Sequence, residues 1–179
     1  MNILDRKTAV VHCSGGCLVE AGKRTCDDGC IGCGICVRTC EAGAISLILK
    51  SAAPGSTDAK GQPVTERKLA VVNRELCTGC GACAAKCPKH VIEVEPYLNT
   101  IQPLCRNTAA GKEARKQCVN SCIACRLCEK NCPADAIHVT DNRAVINQKR
   151  CIACGMCASK CPRGVIHDVN GVIAAAFPG

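Results

Sequence analysis

The stretch CVNSCIACRLCEKNCP, residues 118–133, carries a closely spaced set of cysteines that ends in a proline. Cys122, Cys125, Cys128 and Cys132 follow the pattern C-x2-C-x2-C-x3-C, and Pro133 comes directly after it. This spacing is typical of a loop that wraps three thiolates around one [4Fe-4S] cube and sends the fourth to a neighbouring cube. The stretch therefore predicts iron–sulfur chemistry and requires a partner motif elsewhere in the chain.

The same cysteine spacing occurs four times along the chain. The first occurrence has Glu41 at the position where the other three have proline. The four quartets are Cys30, Cys33, Cys36 and Cys40; Cys77, Cys80, Cys83 and Cys87; Cys122, Cys125, Cys128 and Cys132; and Cys151, Cys154, Cys157 and Cys161.

Exchange of the fourth cysteine between partner motifs predicts four ligand sets, which we call cluster sites one to four. Zinc or disulfides are the alternatives for each quartet, although structural zinc favours two separated C-x2-C pairs or a mixture with histidine. Cluster site one comprises Cys30, Cys33, Cys36 and Cys87; site two, Cys77, Cys80, Cys83 and Cys40; site three, Cys122, Cys125, Cys128 and Cys161; and site four, Cys151, Cys154, Cys157 and Cys132.

The chain also contains an internal duplication. Moving the sequence by 92 residues places Cys13 on Cys105, Cys26 on Cys118, and the first quartet on the third. We therefore predict an α+β fold of two tandem bacterial ferredoxin-like 2[4Fe-4S] domains. The expected segments are a cysteine-containing N-terminal stretch 1–29, a first domain 30–98, a connecting stretch 99–117 and a second domain 118–179.

Local patterns predict the elements around the motifs. Apolar runs indicate short strands at 45–49, 69–72 and 91–94, and two alternating runs about Asp141 and Asn142 indicate a β-hairpin. The polar, basic segment 105–117 is expected to be partly helical. Residues 51–66 are rich in Pro, Gly, Ser and Asp, so they are expected to form a surface insertion loop rather than packed structure.

Five cysteines lie outside the quartets, at Cys13, Cys17, Cys26, Cys105 and Cys118. One interpretation is that they are reduced, buried thiols. The other is that Cys13, Cys26, Cys105 and Cys118, which recur in both halves, hold a fifth cluster or a zinc ion. The sequence leaves both interpretations open.

Composition supports an inorganic core. The chain has 21 cysteines but one tyrosine, one phenylalanine and no tryptophan, so an ordinary hydrophobic core is difficult to build. The formal net charge of +8 treats every cysteine as neutral. Four clusters, each about −2 with its four thiolates, would offset that charge. We therefore expect no nucleic-acid partner, because stacking aromatic residues are also scarce.

The expected compartment follows from the N-terminus and the cysteines. The start MNILDRKTAVVHC lacks the apolar region of a signal peptide, and clustered cysteines in a reducing compartment indicate metal ligands. The apolar stretches AISLIL and GVIAAAF are too short to span a bilayer. We expect a cytoplasmic protein with no membrane span in this chain.

The sequence shows no catalytic arrangement of its own. It contains no Ser/His/Asp pattern, paired-carboxylate motif, Walker loop or GxGxxG element. The prediction is an electron carrier that makes and breaks no bond itself.

Several runs resemble the ferredoxin part of the B subunit of Rnf electron transport complexes. They are VHCSGGC, CDDGCIGCGICVRTC, AVVNRELCTGCGACAAKCP, CVNSCIACRLCEKNCPADAIHVTDNRAVIN and CIACGMCASKCP. The resemblance implies a subunit of an ion-translocating ferredoxin:NAD oxidoreductase at the cytoplasmic face of the membrane. Its expected partners are reduced ferredoxin, or another electron donor, and the other subunits of a membrane complex.

Members of that family usually begin with a membrane anchor and a further four-cysteine domain, neither of which is present in this sequence. Two other functions therefore stay open. One is a freestanding polyferredoxin or the iron–sulfur subunit of a hydrogenase or dehydrogenase. The other is a zinc-binding interaction module.

Overall fold

A computed structural model describes residues 3–170 of the chain. Within these residues the elements are short, and strands outnumber helices. In chain order they are β1 Lys7–Val11, β2 Val19–Glu20, β3 Lys23–Arg24, α1 Ile35–Thr39, β4 Ile45–Ser51, β5 Glu66–Val72, α2 Ala82–Lys86, β6 Ile92–Pro96, β7 Ile101–Pro103, α3 Gly111–Gln117, α4 Leu127–Lys130, β8 Ile137–Thr140, β9 Arg143–Ile146, α5 Met156–Ser159 and β10 Ile166–Asp168.

The duplication seen in the sequence is also present in the fold. In the first half, β4 and β5 form an antiparallel hairpin and β1 pairs antiparallel with β6. In the second half, β8 pairs with β9, and β7 pairs with β10, again antiparallel. In each motif a short helix begins one residue before the third cysteine and contains it, and the mixed helix and strand content confirms the predicted α+β ferredoxin-like fold.

Each half draws an outer strand from the residues that precede its first quartet. β1 pairs Lys7 with Pro96 and Val11 with Ile92, and so joins the stretch 1–29 to the first ferredoxin-like unit. In the same way, β7 joins the stretch 99–117 to the second unit, because Ile101 pairs with Asp168. The two outer stretches are thus parts of the sheets rather than separate linkers.

Left-handed residues shape the cysteine loops. The short helices α1, α2 and α5 start after glycines with positive φ, at Gly34, Gly81 and Gly155. Gly32 also has φ +66, and a Cβ there would lie 2.6 Å from the Lys68 carbonyl oxygen. The loop therefore lies directly against β5 at Gly32, where a side chain would clash.

The interior is built from cysteines and small aliphatic side chains. One core group lies in each half, and its members include the cysteines of the quartets alongside valine, isoleucine, leucine and alanine. The single tyrosine, Tyr97, packs instead against the guanidinium groups of Arg6 and Arg74, at 4.3 and 4.9 Å from its ring centre. The stability of a core with this composition depends on what its cysteines bind.

The two halves meet along the segment that carries Cys17. Cys17 and Cys118 form an isolated antiparallel β-bridge. On either side, the Leu18 N–H donates to the Gln117 carbonyl at 2.9 Å and the Val119 N–H donates to the Gly16 carbonyl at 2.9 Å. The connection is continuous backbone hydrogen bonding, which fixes the position of the cysteines on it.

The insertion loop differs from its prediction. Most of residues 51–66 are exposed, but Ala53 and Ser56 are buried. The Thr57 N–H donates to the Val19 carbonyl at 2.7 Å, and the Val19 N–H donates to the Ser56 hydroxyl at 3.2 Å. The segment lies largely at the surface, as expected, but residues 53–57 pack against the β2–β3 hairpin and to that extent form packed structure.

No helix within residues 3–170 has the length and apolar composition that crossing a bilayer requires. The sequence analysis also judged the stretch GVIAAAF too short to span a membrane. That stretch lies outside the described residues.

Candidate metal centres

The four predicted ligands of cluster site one surround a common apolar cavity between α1, β5 and the turn before β6. Cys30, Cys33, Cys36 and Cys87 all line it. Burial is the main cause that raises the pKa of the Cys36 thiol to about 11, and repulsion from the other three sulfurs adds to it. The structure therefore brings together three cysteines of the first motif and the last cysteine of the second.

Cluster site two has the reciprocal arrangement. Burial raises the pKa of the Cys83 thiol, with further contributions from Cys77, Cys40 and Cys80, which lie around it. The Ala9 N–H donates to the Cys77 sulfur and the Ala44 N–H donates to the Cys40 sulfur, each at 3.3 Å. Such N–H···S hydrogen bonds stabilise thiolates and tune the reduction potential of a cluster that they bind.

Cluster site three repeats this geometry in the second half. Cys122, Cys125, Cys128 and Cys161 line one apolar cavity together with Val165 and Ile166. Burial raises the pKa of the Cys128 thiol to about 11, and the Cys122, Cys161 and Cys125 sulfurs add to the effect.

Cluster site four lies beside β7 and β8. Cys132, Cys151, Cys154 and Cys157 line its cavity. Burial raises the pKa of the Cys157 thiol to about 12. The Ala136 N–H donates to the Cys132 sulfur at 3.3 Å, as the Ala44 N–H does to Cys40 in the first half.

The separation of the sulfur atoms fits a cube better than a single ion. Four thiolates on one zinc ion lie about 3.8 Å apart, because each Zn–S bond is about 2.3 Å. Within residues 3–170, no three cysteine sulfurs all lie within 4.8 Å of one another. A [4Fe-4S] cube holds its thiolates at wider corners, so the residues present fit that group.

The described residues do include one compact group of other ligand types, formed by His12, Glu93 and Glu95. His12 is hydrogen-bonded through Nδ1 to the Pro103 carbonyl at 2.9 Å, and its Nε2 lies 3.3 Å from Glu93. His12 and then Arg106 lower the pKa of Glu93 to about 2. The charge of Glu93 is therefore compensated within the protein by His12 and Arg106.

The five remaining cysteines converge near the junction of the halves. Cys17, Cys26 and Cys118 form a small buried group of their own. Cys13 lies beside them, while the Cys105 sulfur accepts a hydrogen bond from the Cys122 N–H at 3.3 Å and so faces cluster site three.

Cys17 belongs to this buried group, although the repeat did not point to it. The alternative from the sequence joined Cys13, Cys26, Cys105 and Cys118, because each of them recurs after 92 residues. Cys17 falls on Ala109 under the same shift, so the repeat could not select it. Its spacing of C-x3-C after Cys13 was the available signal.

Comparison with known proteins identifies the same kind of domain in both halves. Residues 29–91 and residues 121–166 each match the 4Fe-4S dicluster domain. Two such domains hold four [4Fe-4S] clusters, as predicted.

Three relatives illustrate the range of similar proteins. The B subunit of an ion-translocating oxidoreductase complex from Methanosarcina acetivorans is 36% identical over 141 residues, which are 79% of this chain and 47% of that protein. The B subunit of a Na(+)-translocating ferredoxin:NAD(+) oxidoreductase complex from Acetobacterium woodii is 34% identical, over 76% of this chain and 36% of that protein. Ferredoxin-3 of Nostoc is 33% identical over 73 residues, which are 40% of this chain and 75% of the ferredoxin.

These similarities confirm the resemblance to B subunits that the cysteine-rich runs suggested. The chain spans about half the length of the first relative and a smaller part of the second.

Proposed function

We propose that this chain, which belongs to the 4Fe-4S dicluster ferredoxin family, relays electrons as the B-like subunit of an ion-translocating ferredoxin:NAD oxidoreductase complex. The observation that carries the proposal is the extent of similarity to the B subunits. It covers 79% and 76% of the chain, and so reaches beyond either dicluster domain. Similarity to Ferredoxin-3 of Nostoc covers only 40% of the chain.

We assign the ligands as the sequence predicted, with cluster sites one to four as defined above. Support comes from the cavity around each of sites one, three and four and from the sulfurs that surround Cys83 in site two. When bound, [4Fe-4S] clusters supply one-electron redox chemistry. The residues of this chain hold the sulfurs, donate N–H groups to them and exclude water.

The burial pattern of the cysteines supports exchange of electrons with partners. In every quartet the third cysteine is buried and the second is exposed. Each site therefore has a protected side and one edge that reaches solvent, where a donor or acceptor can approach closely. The exposed cysteines are Cys33, Cys80, Cys125 and Cys154.

The proposed donor is reduced ferredoxin, and the proposed acceptors are other subunits of the complex at the cytoplasmic face of the membrane. A freestanding polyferredoxin, or a cluster subunit of a hydrogenase or dehydrogenase, is the second candidate because the dicluster domains fit it equally. A zinc-binding interaction module is disfavoured by the wide separation of the sulfur atoms.

Co-isolation from native membranes tests the assignment to a complex. The tagged chain, expressed in its own host and purified anaerobically in mild detergent, should bring down integral-membrane subunits. A matched preparation carrying Cys36→Ala and Cys128→Ala controls for association that does not need intact cluster sites. Recovery of the tagged chain only in the soluble fraction, without membrane partners, would contradict the proposal and favour the freestanding polyferredoxin.

A further inference from the structure

A histidine and two glutamates outside the four cluster sites lie together on one face of the outer sheet of the first half. Val10 in β1 pairs with Glu93 in β6, and the His12 N–H continues the pairing by donating to the Val91 carbonyl at 2.7 Å. Side chains alternate between the two faces of a strand, so His12, Glu93 and Glu95 share a face. One ligand atom from each of them lies within 4.8 Å of the other two.

The imidazole of His12 is held in one orientation by the backbone. Its Nδ1 lies 2.9 Å from the Pro103 carbonyl oxygen, which can only accept a hydrogen bond. Nδ1 therefore carries a proton, and Nε2 lies on the side of the glutamates, 3.3 Å from a carboxylate oxygen of Glu93. A carbonyl that accepts from one ring nitrogen and leaves the other facing the ion is the usual arrangement at a metal-binding histidine.

The Nε2 atom of His12 is buried without a hydrogen-bond partner. His12 is 8% exposed, and its Nε2 forms no hydrogen bond. A neutral ring presents a lone pair to the Glu93 oxygen, and two acceptors repel each other. A protonated ring compensates Glu93 but buries a charged imidazolium, which costs desolvation free energy. A metal ion bound by both atoms removes both problems, because each atom then donates a lone pair to the ion.

Glu95 is the carboxylate of the group that lacks a cation. Arg106 pairs with the other oxygen of Glu93, whereas no ion pair within residues 3–170 includes Glu95. Arg143 lines the same cavity but pairs with neither glutamate. The side-chain amide of Asn99 donates to one Glu95 oxygen at 3.0 Å, which leaves the other oxygen for a cation. A divalent ion would give Glu95 its counter-charge while Arg106 keeps Glu93 in place.

The spacing and the surrounding space fit a transition-metal ion. Ligands at about 2.1 Å from such an ion lie about 3.0–3.4 Å apart at bond angles of about 90–109°. The His12 nitrogen and the Glu93 oxygen are 3.3 Å apart. The three side chains line a cavity of about 160 Å³, which is large enough for an ion and several waters. Mg²⁺ and Ca²⁺ fit less well because they take oxygen ligands, whereas imidazole suits first-row transition metals.

We propose that His12, Glu93 and Glu95 bind a divalent first-row transition-metal ion through one nitrogen and two carboxylate oxygens. Waters in the cavity complete its coordination. The site is separate from the cysteine quartets, and the ion it binds is mononuclear.

The position of the site gives the ion a structural role. All three ligands belong to the paired strands β1 and β6 or follow them directly, so the ion links one strand to the other. Pro103, whose carbonyl holds His12, lies in β7 of the second half, and β9 contributes another wall of the cavity. The bound ion therefore stabilises the contact between the halves. This inference holds whichever complex the chain serves.

Binding of Mn²⁺ to the oxidised holoprotein tests the site. Mn²⁺ prefers carboxylate and imidazole to thiol ligands, so free cysteines compete little for it. Electron paramagnetic resonance follows the titration, because the strong signal of free Mn²⁺ is lost on binding and oxidised [4Fe-4S] clusters give no signal. We expect about one Mn²⁺ per chain, displaced by Zn²⁺, which binds such ligands more tightly.

Two matched variants show whether the ion binds at this place. Glu95→Gln and Glu113→Gln each replace one carboxylate by an amide of the same size and change the net charge equally. Glu113 pairs with Lys116 at the surface, outside the proposed site. We expect Glu95→Gln to weaken Mn²⁺ binding at least about tenfold and Glu113→Gln to leave it unchanged. Visible absorbance of the clusters verifies that each variant is folded.

Several results would overturn the inference. They are the absence of Mn²⁺ binding in the wild type, and equal affinities in Glu95→Gln and Glu113→Gln, which would mean adventitious binding elsewhere. If Glu95→Gln does not assemble its clusters, thermal unfolding of the wild type and of His12→Gln decides instead. Mn²⁺ should raise the unfolding midpoint of the wild type only, and an equal shift in both, or no shift in either, would contradict the site.

Discussion

Cys17 and Cys118 face each other in an antiparallel β-bridge that joins the first half of the chain to the second. Both residues are buried, and neither belongs to the four motifs that define the ferredoxin-like halves. The bridge means that the halves are connected through a thiol-lined junction rather than through a flexible linker. Several measurable consequences follow from the way that cysteines fill this interior.

Iron removal should unfold most of the chain. The two core groups consist of cysteines and small aliphatic residues, so without clusters little remains to stabilise them. Treatment with a chelator under anaerobic conditions should abolish most far-ultraviolet circular dichroism, and reconstitution with iron and sulfide should restore it. A spectrum that stays close to native after complete iron removal would rule out this dependence.

Ligand exchange between motifs should produce matched pairs of variants. Cys36→Ala and Cys87→Ala are both expected to damage cluster site one, because both sulfurs line the same cavity. Cys83→Ala and Cys40→Ala should both damage cluster site two. Electron paramagnetic resonance of the reduced proteins should therefore give the same spectrum within each pair and different spectra between pairs. Identical spectra for Cys36→Ala and Cys40→Ala would mean that the fourth ligand is not exchanged.

Substitution by alanine should destabilise the protein to different extents at Gly32 and Gly34, although both have positive φ. A Cβ at Gly32 meets the Lys68 carbonyl at 2.6 Å, whereas at Gly34 the nearest atom is the end of Arg38 at 3.4 Å. We expect Gly32→Ala to reduce the free energy of unfolding by about 3 kcal/mol or more, and Gly34→Ala by about 1–2 kcal/mol. Denaturant-induced loss of visible cluster absorbance gives the comparison. Equal effects would show that β5 does not pack against Gly32 as described.

The second half provides a natural check on that comparison. The residues equivalent to Gly32 and Gly34 are Ala124 and Arg126, at φ +55 and +61. Left-handed backbone alone is therefore tolerated by side chains in this loop. The contact with Lys68 is what makes Gly32 necessary in the first half.

His167 should make stability depend on pH. Burial lowers the pKa of His167 below its usual value, and nearby Lys50 adds to the effect. A depressed pKa means that the stabilisation is complete above about pH 6.5, the pKa of an unfolded histidine, and is lost as the pH falls. The unfolding rate in fixed denaturant should rise from about pH 7.5 to about pH 5.5.

The matched variants for this pH effect are His167→Gln and His90→Gln. His167→Gln should make the unfolding rate less dependent on pH, because it removes the buried imidazole whose Nε2 has no hydrogen-bond partner. The second changes an exposed histidine and should leave the dependence as it is in the wild type. A steep dependence that persists in His167→Gln would assign it to another group.

The cysteine spacing was enough to predict the fold class, the duplication and the four clusters. It worked because the ligand loops are local, and because each hairpin shows alternating apolar residues, as at β8 and β9. Two other features depend on contacts between distant segments. The pairing of Lys7 with Pro96 in β1 and β6 leaves no local pattern, and neither does the contact of Ser56 with Val19.

The thiols at the junction show the same limit. Repeat alignment selects residues that have a counterpart, and so it did not point to Cys17. The β-bridge to Cys118 and the buried charge of Arg67 are properties of the folded chain, since they involve segments far apart in sequence.

Reductive titration of the holoprotein with reduced ferredoxin tests the central claim most directly. If the chain relays electrons through its two dicluster domains, it should accept at least about four electrons per chain, one for each cluster, with bleaching of its visible absorbance. Iron-free chain, as the control, should accept none. Uptake of about two electrons or fewer, or no reduction by ferredoxin under conditions in which dithionite reduces the protein, would contradict the account.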